Sequence, residues 1–433
     1  MVGGTNTSHA PPFSLPLRYM LTGMIGYLLF AVDLVIQSRP LGMGIALMPA
    51  VIALTHLLTL GVLLSFVMGA VYQLSTVAFL TPIRSVTTAK LNYWLYITGV
   101  IGLWISMDIW WTLGLLIFGT LVTIALYIYS VLVIVSVGKS TVKGAMRGFV
   151  ISAHVYLMLA ITDVWLLILS FSVPRMTALQ THLLATHILL AVGGFFTFLV
   201  IGFSYKLLPM FTLAHGFAVH RQKYTFGLLH GALWICIIGS WLNFWINSTW
   251  LFVIGGLAAA AGFCIEIWDI REIYKKRMRK KPEYPIRMLF VSFGLGGLGC
   301  LLLAILAGLH ASINEWQSLV TFYLLGLIAF TIMNYAYKIV PFLIWTNRYG
   351  PKAGQTKVRL MADLLDLRKS TYAYVPFIIG LFVVVASVEF QLTIGAVVGC
   401  IFLAIAIIIF ACQMLYVLDL RKIPEDLRVP KNR

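Results

Sequence analysis

Apolar residues run along this chain in stretches too long for a soluble core, separated by short polar segments. A helix needs about 20 apolar residues to cross the hydrocarbon of a bilayer. Twelve stretches fit that requirement, at 17–36, 52–76, 91–107, 109–137, 148–171, 179–208, 222–246, 249–270, 288–309, 316–345, 373–389 and 391–418. The longest polar interval, 346–372, is too short to hold a domain of its own. The pattern predicts an all-α, polytopic membrane protein forming a single integral membrane domain over 1–433. Residues 1–16 lack the basic-then-apolar plan of a cleaved signal peptide, so the first stretch is expected to remain as a span.

The same pattern repeats over a long distance. Gly69 and Tyr72 recur 133 residues later as Gly202 and Tyr205, and the tyrosine recurs after a further 132 as Tyr337. The later copies share a tail, Tyr205-Lys206-Leu207-Leu208-Pro209 against Tyr337-Lys338-Ile339-Val340-Pro341. Solenoid repeats run 20–50 residues, whereas this period spans four membrane helices. It predicts three related quartets, approximately 17–137, 148–270 and 288–418, with the repeated stretch on the second, sixth and tenth spans. At the end of those spans the lysine is expected to snorkel to head groups and the proline to stop the helix. Glycines 61, 69, 193, 194, 202 and 326 on the same spans allow close helix approach or leave room for a flat cofactor.

Composition sharpens this picture. The chain is 61% hydrophobic and only 10% charged, with a mean hydropathy of +0.97, so lipid is expected to be its main solvent. With the N-terminus inside, all 31 Lys and Arg except Arg39 and Arg175 fall on inner loops and tails. That is the positive-inside distribution. It places both termini in the cytoplasm and the protein in the cell (plasma) membrane as a multi-pass chain. The net charge of +17 then reads as anchoring to anionic lipid, densest at 275–281, and not as nucleic-acid binding. The five cysteines lie within spans and form no close pair, which excludes a disulfide framework or thiolate cluster. Hydrolytic chemistry is unsupported, since neither a His-Glu-x-x-His nor a Ser/His/Asp arrangement is present.

Candidate chemistry sits with the histidines and the in-span carboxylates. His56, His182 and His187 lie near the outer entrances of spans two and six, and His310 at the outer end of span nine. Asp163 lies in the outer half of span five and Asp33 near the outer end of span one. Ionisable groups in spans are costly and need a partner or a proton. Imidazole binds heme iron or copper, and a neighbouring carboxylate fixes its tautomer, so these residues make a minimal outer layer for a buried metal. A histidine in a membrane helix is equally served by a hydrogen bond to a neighbouring helix. His182 and His187 are five apart, about 140° around a helix, so at most one of them joins His56. His187 matches His56 better, preceding its tyrosine by 18 residues against 16.

The stretch Thr55-His56-Leu57-Leu58 through Phe66-Val67-Met68-Gly69-Ala70-Val71-Tyr72 resembles the second helix of heme-copper oxidase and nitric oxide reductase large subunits. The stretch from His187 to Met210 resembles short oxidase-like membrane proteins, including the NnrS type linked to nitric oxide stress. The resemblance implies twelve spans in three four-helix arcs with pseudo-threefold symmetry. It also implies a heme b, with copper as a further cofactor, and electrons supplied by a donor protein or quinol. Here His56 would be a heme or metal ligand, His187 the second, and His182 or His310 further cofactor-binding candidates. Asp163 and Asp33 would support them. The chain departs from that family in lacking an adjacent His pair in span seven and any histidine in span ten. A complete oxygen-reducing centre is therefore not expected. The expected function is a heme- or copper-binding membrane redox protein, a reduced relative of the oxidase large subunit. The alternative is a transporter or assembly factor for heme, copper or a small solute. A major-facilitator plan would give a repeat near half the chain, longer than the one found.

Overall fold

The computed structural model describes residues 10–278, 283–353 and 358–418. The initial segment with His9, part of the basic run at 279–281 and the C-terminal tail lie outside the described residues. Twelve long helices account for most of the described chain: α1 (Ser14–Ile36), α2 (Pro49–Phe79), α3 (Val86–Asp108), α4 (Thr112–Gly138), α5 (Ala145–Ser172), α6 (Pro174–Thr212), α7 (Gln222–Leu242), α8 (Thr249–Lys275), α9 (Tyr284–Gly308), α10 (Ile313–Arg348), α11 (Thr371–Glu389) and α12 (Thr393–Leu418). Eleven helices are long and apolar enough to cross a membrane, and α3 is not among them. Its 23 residues include Lys90, Asn92, Tyr93, Trp94, Tyr96 and Trp104, which dilute its apolarity. The interval after α10 holds only short 3₁₀ turns at Gly350–Lys352, Met361–Asp363 and Leu367–Ser370.

Neighbour relations recur along the chain. The first helix of each quartet packs on the second (α1 on α2, α5 on α6, α9 on α10), and the third and fourth form a hairpin (α3–α4, α7–α8, α11–α12). The fourth then packs on the first helix of the next quartet, α4 on α5 and α8 on α9, and α12 returns to α1. Helices α2, α6 and α10 line a shared apolar cavity of about 60 Å³. Phe66, Leu199 and Ile332 on its wall are each 133 residues apart, as are Ala70, Phe203 and Ala336, and Leu74, Leu207 and Val340. The spacing seen in the sequence therefore reappears as equivalent wall positions. Tyr335 also lines the cavity, but its hydroxyl donates to Ser204 Oγ at 2.6 Å. Lining this apolar favours a dry cavity over a hydrated one.

The same three helices each contain a π-helical segment, Leu57–Leu64 in α2, Leu189–Phe196 in α6 and Leu324–Ala329 in α10. A π turn widens the helix and misaligns carbonyls that an α-helix would satisfy, and such turns recur at functional sites. Side chains take up two of these carbonyls five residues back: Ser65 Oγ donates to Leu60 O at 3.3 Å and Thr197 Oγ1 to Val192 O at 2.8 Å. Tyr96 from α3 adds a second bond to Leu60 O at 2.5 Å.

Two local expectations are corrected. Pro209 and Pro341 do not end their helices; both lie inside them, and α6 continues to Thr212 and α10 to Arg348. An internal proline leaves the carbonyl four residues earlier without its helical donor, here that of Tyr205 and of Tyr337. Lys338 does not snorkel. It is 2% exposed, ion-paired with Glu283, and lies over the Phe211 ring at 5.3 Å. Lys206, its counterpart in the Tyr-Lys-x-x-Pro motif, is only partly buried, and in the 133-residue register of the cavity wall Lys338 instead falls opposite Tyr205.

Candidate metal centre

His56 closes the first α-helical turns of α2, immediately before its π segment, and His187 lies two residues before that of α6. The two imidazoles meet between the helices with ring centroids 6.5 Å apart and planes within 19° of parallel. Each ring is held through Nδ1. His56 Nδ1 donates to Ile52 O at 2.8 Å, within its own helix, and His187 Nδ1 donates to Ala160 O of α5 at 3.1 Å. A carbonyl only accepts, so Nδ1 carries the hydrogen and the neutral ring keeps its lone pair on Nε2. Both imidazoles are thus in the tautomer that ligates through Nε2, with a carbonyl as the outer partner.

The spacing is informative. Two metal–nitrogen bonds of about 2.0–2.1 Å, plus the distance from each nitrogen to its ring centre, put the centroids of a linear pair roughly 6 Å apart. Near-parallel imidazoles with centroids 6.5 Å apart are compatible with that spacing, and they lie farther apart than rings in close face-to-face contact. Among the described residues no group of three or more His, Cys, Asp or Glu is placed to hold a metal. The pair fits a metal needing two protein ligands. His56 and His187 would be the protein's ligands to such a group, a heme iron or a copper ion, which would supply one-electron chemistry. The pair does not fit a tetrahedral zinc site.

The other expected residues are elsewhere. His182 faces α7, with its ring 5.9 Å from Trp241 and 5.7 Å from Phe244. His310 is exposed just past the end of α9, in the left-handed region at φ 53°. Asp163 and Asp33 are buried at 8% and 9% exposure, each with Oδ2 lacking a hydrogen-bond partner among the described residues. Asp33 accepts from Gln37 Nε2 at 3.3 Å. Backbone carbonyls, rather than these carboxylates, hold the two imidazole N–H groups. Trp241 Nε1 donates to Thr186 Oγ1 at 3.0 Å, fastening α7 to α6 beside His187.

No protein-family model matches this chain, and no curated protein is significantly similar to it. Its reading therefore rests on residues and geometry.

Sequence reasoning missed a second set of polar groups around the repeated tyrosines. Tyr72 lies 5.6 Å from Tyr129 and 5.5 Å from Tyr19, ring to ring. Tyr205 donates to Thr225 Oγ1 at 3.2 Å beside Glu266. Tyr337 donates to Gln413 Oε1 at 2.6 Å. Each tyrosine thus meets a side chain from the third or fourth helix of its own quartet. The signal was present in the sequence as the tyrosine period and as Glu266 and Asp269, three apart near the end of α8.

Proposed function

We propose that this chain is a membrane redox protein in which His56 and His187 together hold a heme iron or a copper ion. The observation that carries this reading is the pair itself: two imidazoles from different helices, near-parallel with centroids 6.5 Å apart, both with Nδ1 committed to a carbonyl. A bound heme iron or copper would supply one-electron chemistry at this point. The chain's own part is to fix two tautomers through Ile52 O and Ala160 O and to keep α2 and α6 in register. The recurring neighbour relations and the equivalent cavity walls support an arrangement of three four-helix arcs about a pseudo-threefold axis. The lysine and arginine distribution supports a plasma-membrane protein with both termini in the cytoplasm. The resemblance to heme-copper oxidase large subunits, and to the NnrS type, accords with the same reading. It suggests a donor protein or quinol as electron source and nitric oxide as a ligand to test.

The test is a reduced-minus-oxidised absorption spectrum of detergent-purified protein. A heme gives a sharp visible band on reduction that His56→Ala removes; a copper-only site gives bound copper without that band. Protein that is colourless and free of both metals would overturn the proposal and return the transporter reading.

A further inference from the structure

We propose that Glu266 is an internal proton-binding site, separate from the histidine pair and independent of whether that pair holds a metal. Glu266 lies on α8, is fully buried, and neither carboxyl oxygen has a hydrogen-bond partner among the described residues. An unpaired carboxylate in such surroundings is strongly disfavoured, so the resting group carries a proton. A carboxylic acid kept only for packing would place its O–H on a carbonyl, or be replaced by leucine. This one does neither.

Its surroundings are polar on one side and lead toward water. Tyr205 of α6 lies beside it, with Thr225 of α7 accepting the tyrosine hydroxyl. Tyr335 of α10 also approaches, its hydroxyl committed to Ser204. Three residues further along α8, Asp269 is 2% exposed and accepts from Arg221 Nε at 2.7 Å. Three residues beyond that, Glu272 is held by Arg221 and by Lys276. Residues three apart are neighbours on a helix surface, so Glu266, Asp269 and Glu272 form a slanting acidic stripe that ends at the partly exposed Arg221. His220 stands near Asp269 at the same mouth. Lys338 and Glu283 are paired with each other. Among the described residues Glu266 forms no salt bridge, and the side chains beside it are the hydroxyls of Tyr205 and Tyr335. The site therefore suits a proton, taken from water onto one carboxyl oxygen with no other bond changed.

The experiment labels the full chain in detergent with dicyclohexylcarbodiimide, an apolar reagent that adds to protonated carboxyls within membrane domains. The carboxyl oxygen bonds the carbodiimide carbon, the proton passes to nitrogen, and acyl transfer leaves an N-acylurea located by peptide mass spectrometry. The expected result is labelling at Glu266, with a rate that falls about tenfold per pH unit above its titration point and is the same in sodium as in choline chloride. Labelling is read on the unaltered chain, so the result does not depend on a variant folding. Glu266→Gln serves to confirm the peptide assignment. No label at Glu266, a rate flat between acid and alkaline pH, or protection by sodium would each overturn the proposal, the last in favour of a metal-cation site.

Discussion

Helix α2 enters its π segment directly from His56, and α6 has His187 two residues before its own; both leave at a hydroxyl bonded to the carbonyl five residues back, Ser65 to Leu60 and Thr197 to Val192. Helix α10 has a π segment at the corresponding place but enters it from Tyr323, whose hydroxyl meets Thr197 Oγ1 at 3.1 Å. Beyond that segment Thr331 is buried and its hydroxyl has no partner among the described residues. The backbone device is therefore common to three helices, while the imidazoles belong to two. The π turns cannot exist for the histidines alone. They shape the centre of the bundle, and the histidine pair flanks two of the three π segments.

The comparison can be broken or sharpened by substitution. The largest effect is expected at the other end of α10, where Lys338 is buried against Glu283. Glu283→Gln removes a carboxylate paired with the buried Lys338 ammonium and should cost about 3 kcal/mol, whereas the partly exposed Lys206 of α6 should tolerate Lys206→Met within about 0.5 kcal/mol. Thermal midpoints in detergent read both, and equal losses would show the two copies to be alike. Next comes the contact that seats α2 on α1. A Cβ on Gly26 would lie 2.7 Å from Gly61 O, so Gly26→Ala should cost about 1–3 kcal/mol. In α6, Gly193→Ala meets only Leu233 Cδ1 at 3.5 Å and should be near neutral.

The hydroxyls test the comparison directly. Ser65→Ala and Thr197→Val leave a buried carbonyl less satisfied and should each cost about 1–2 kcal/mol, while Thr331→Val removes an unpaired hydroxyl and should be neutral or stabilising. Similar losses at all three would mean that Thr331 is bonded after all. The smallest effect is expected in the shared cavity. Ala336→Val adds methyl groups to its wall and should raise the midpoint slightly, by up to about 1 kcal/mol.

The sequence carried much of this in particular residues. The recurrence of Gly69 and Tyr72 at Gly202 and Tyr205 located the helices that line the cavity; helical rotation left room for at most one of His182 and His187 beside His56, and the distance to the tyrosine chose His187. The π segments were not legible, because Leu57–Leu64 and Leu189–Phe196 are apolar apart from Thr59 and contain nothing that distinguishes a five-residue from a four-residue hydrogen-bond step. Pro209 and Pro341 misled for a related reason: the usual penalty against internal proline weakens when neighbouring helices re-satisfy the freed backbone groups. The role expected for Asp163 and Asp33 went to carbonyls of Ile52 and Ala160, which no side-chain pattern announces. Glu266 was visible but lay near a span end, where a carboxylate normally reaches water; only its complete burial sets it apart.

The most direct test of the histidine pair is metal content per chain in wild-type protein and in four single alanine variants, each shown to be folded by its thermal midpoint. The pairing of His56 with His187 predicts one iron or copper per chain in wild type. It predicts loss of at least nine-tenths of that metal in His56→Ala and in His187→Ala, and full retention in His182→Ala and His310→Ala. Metal retained in either of the first two variants, or lost equally in all four, would contradict it.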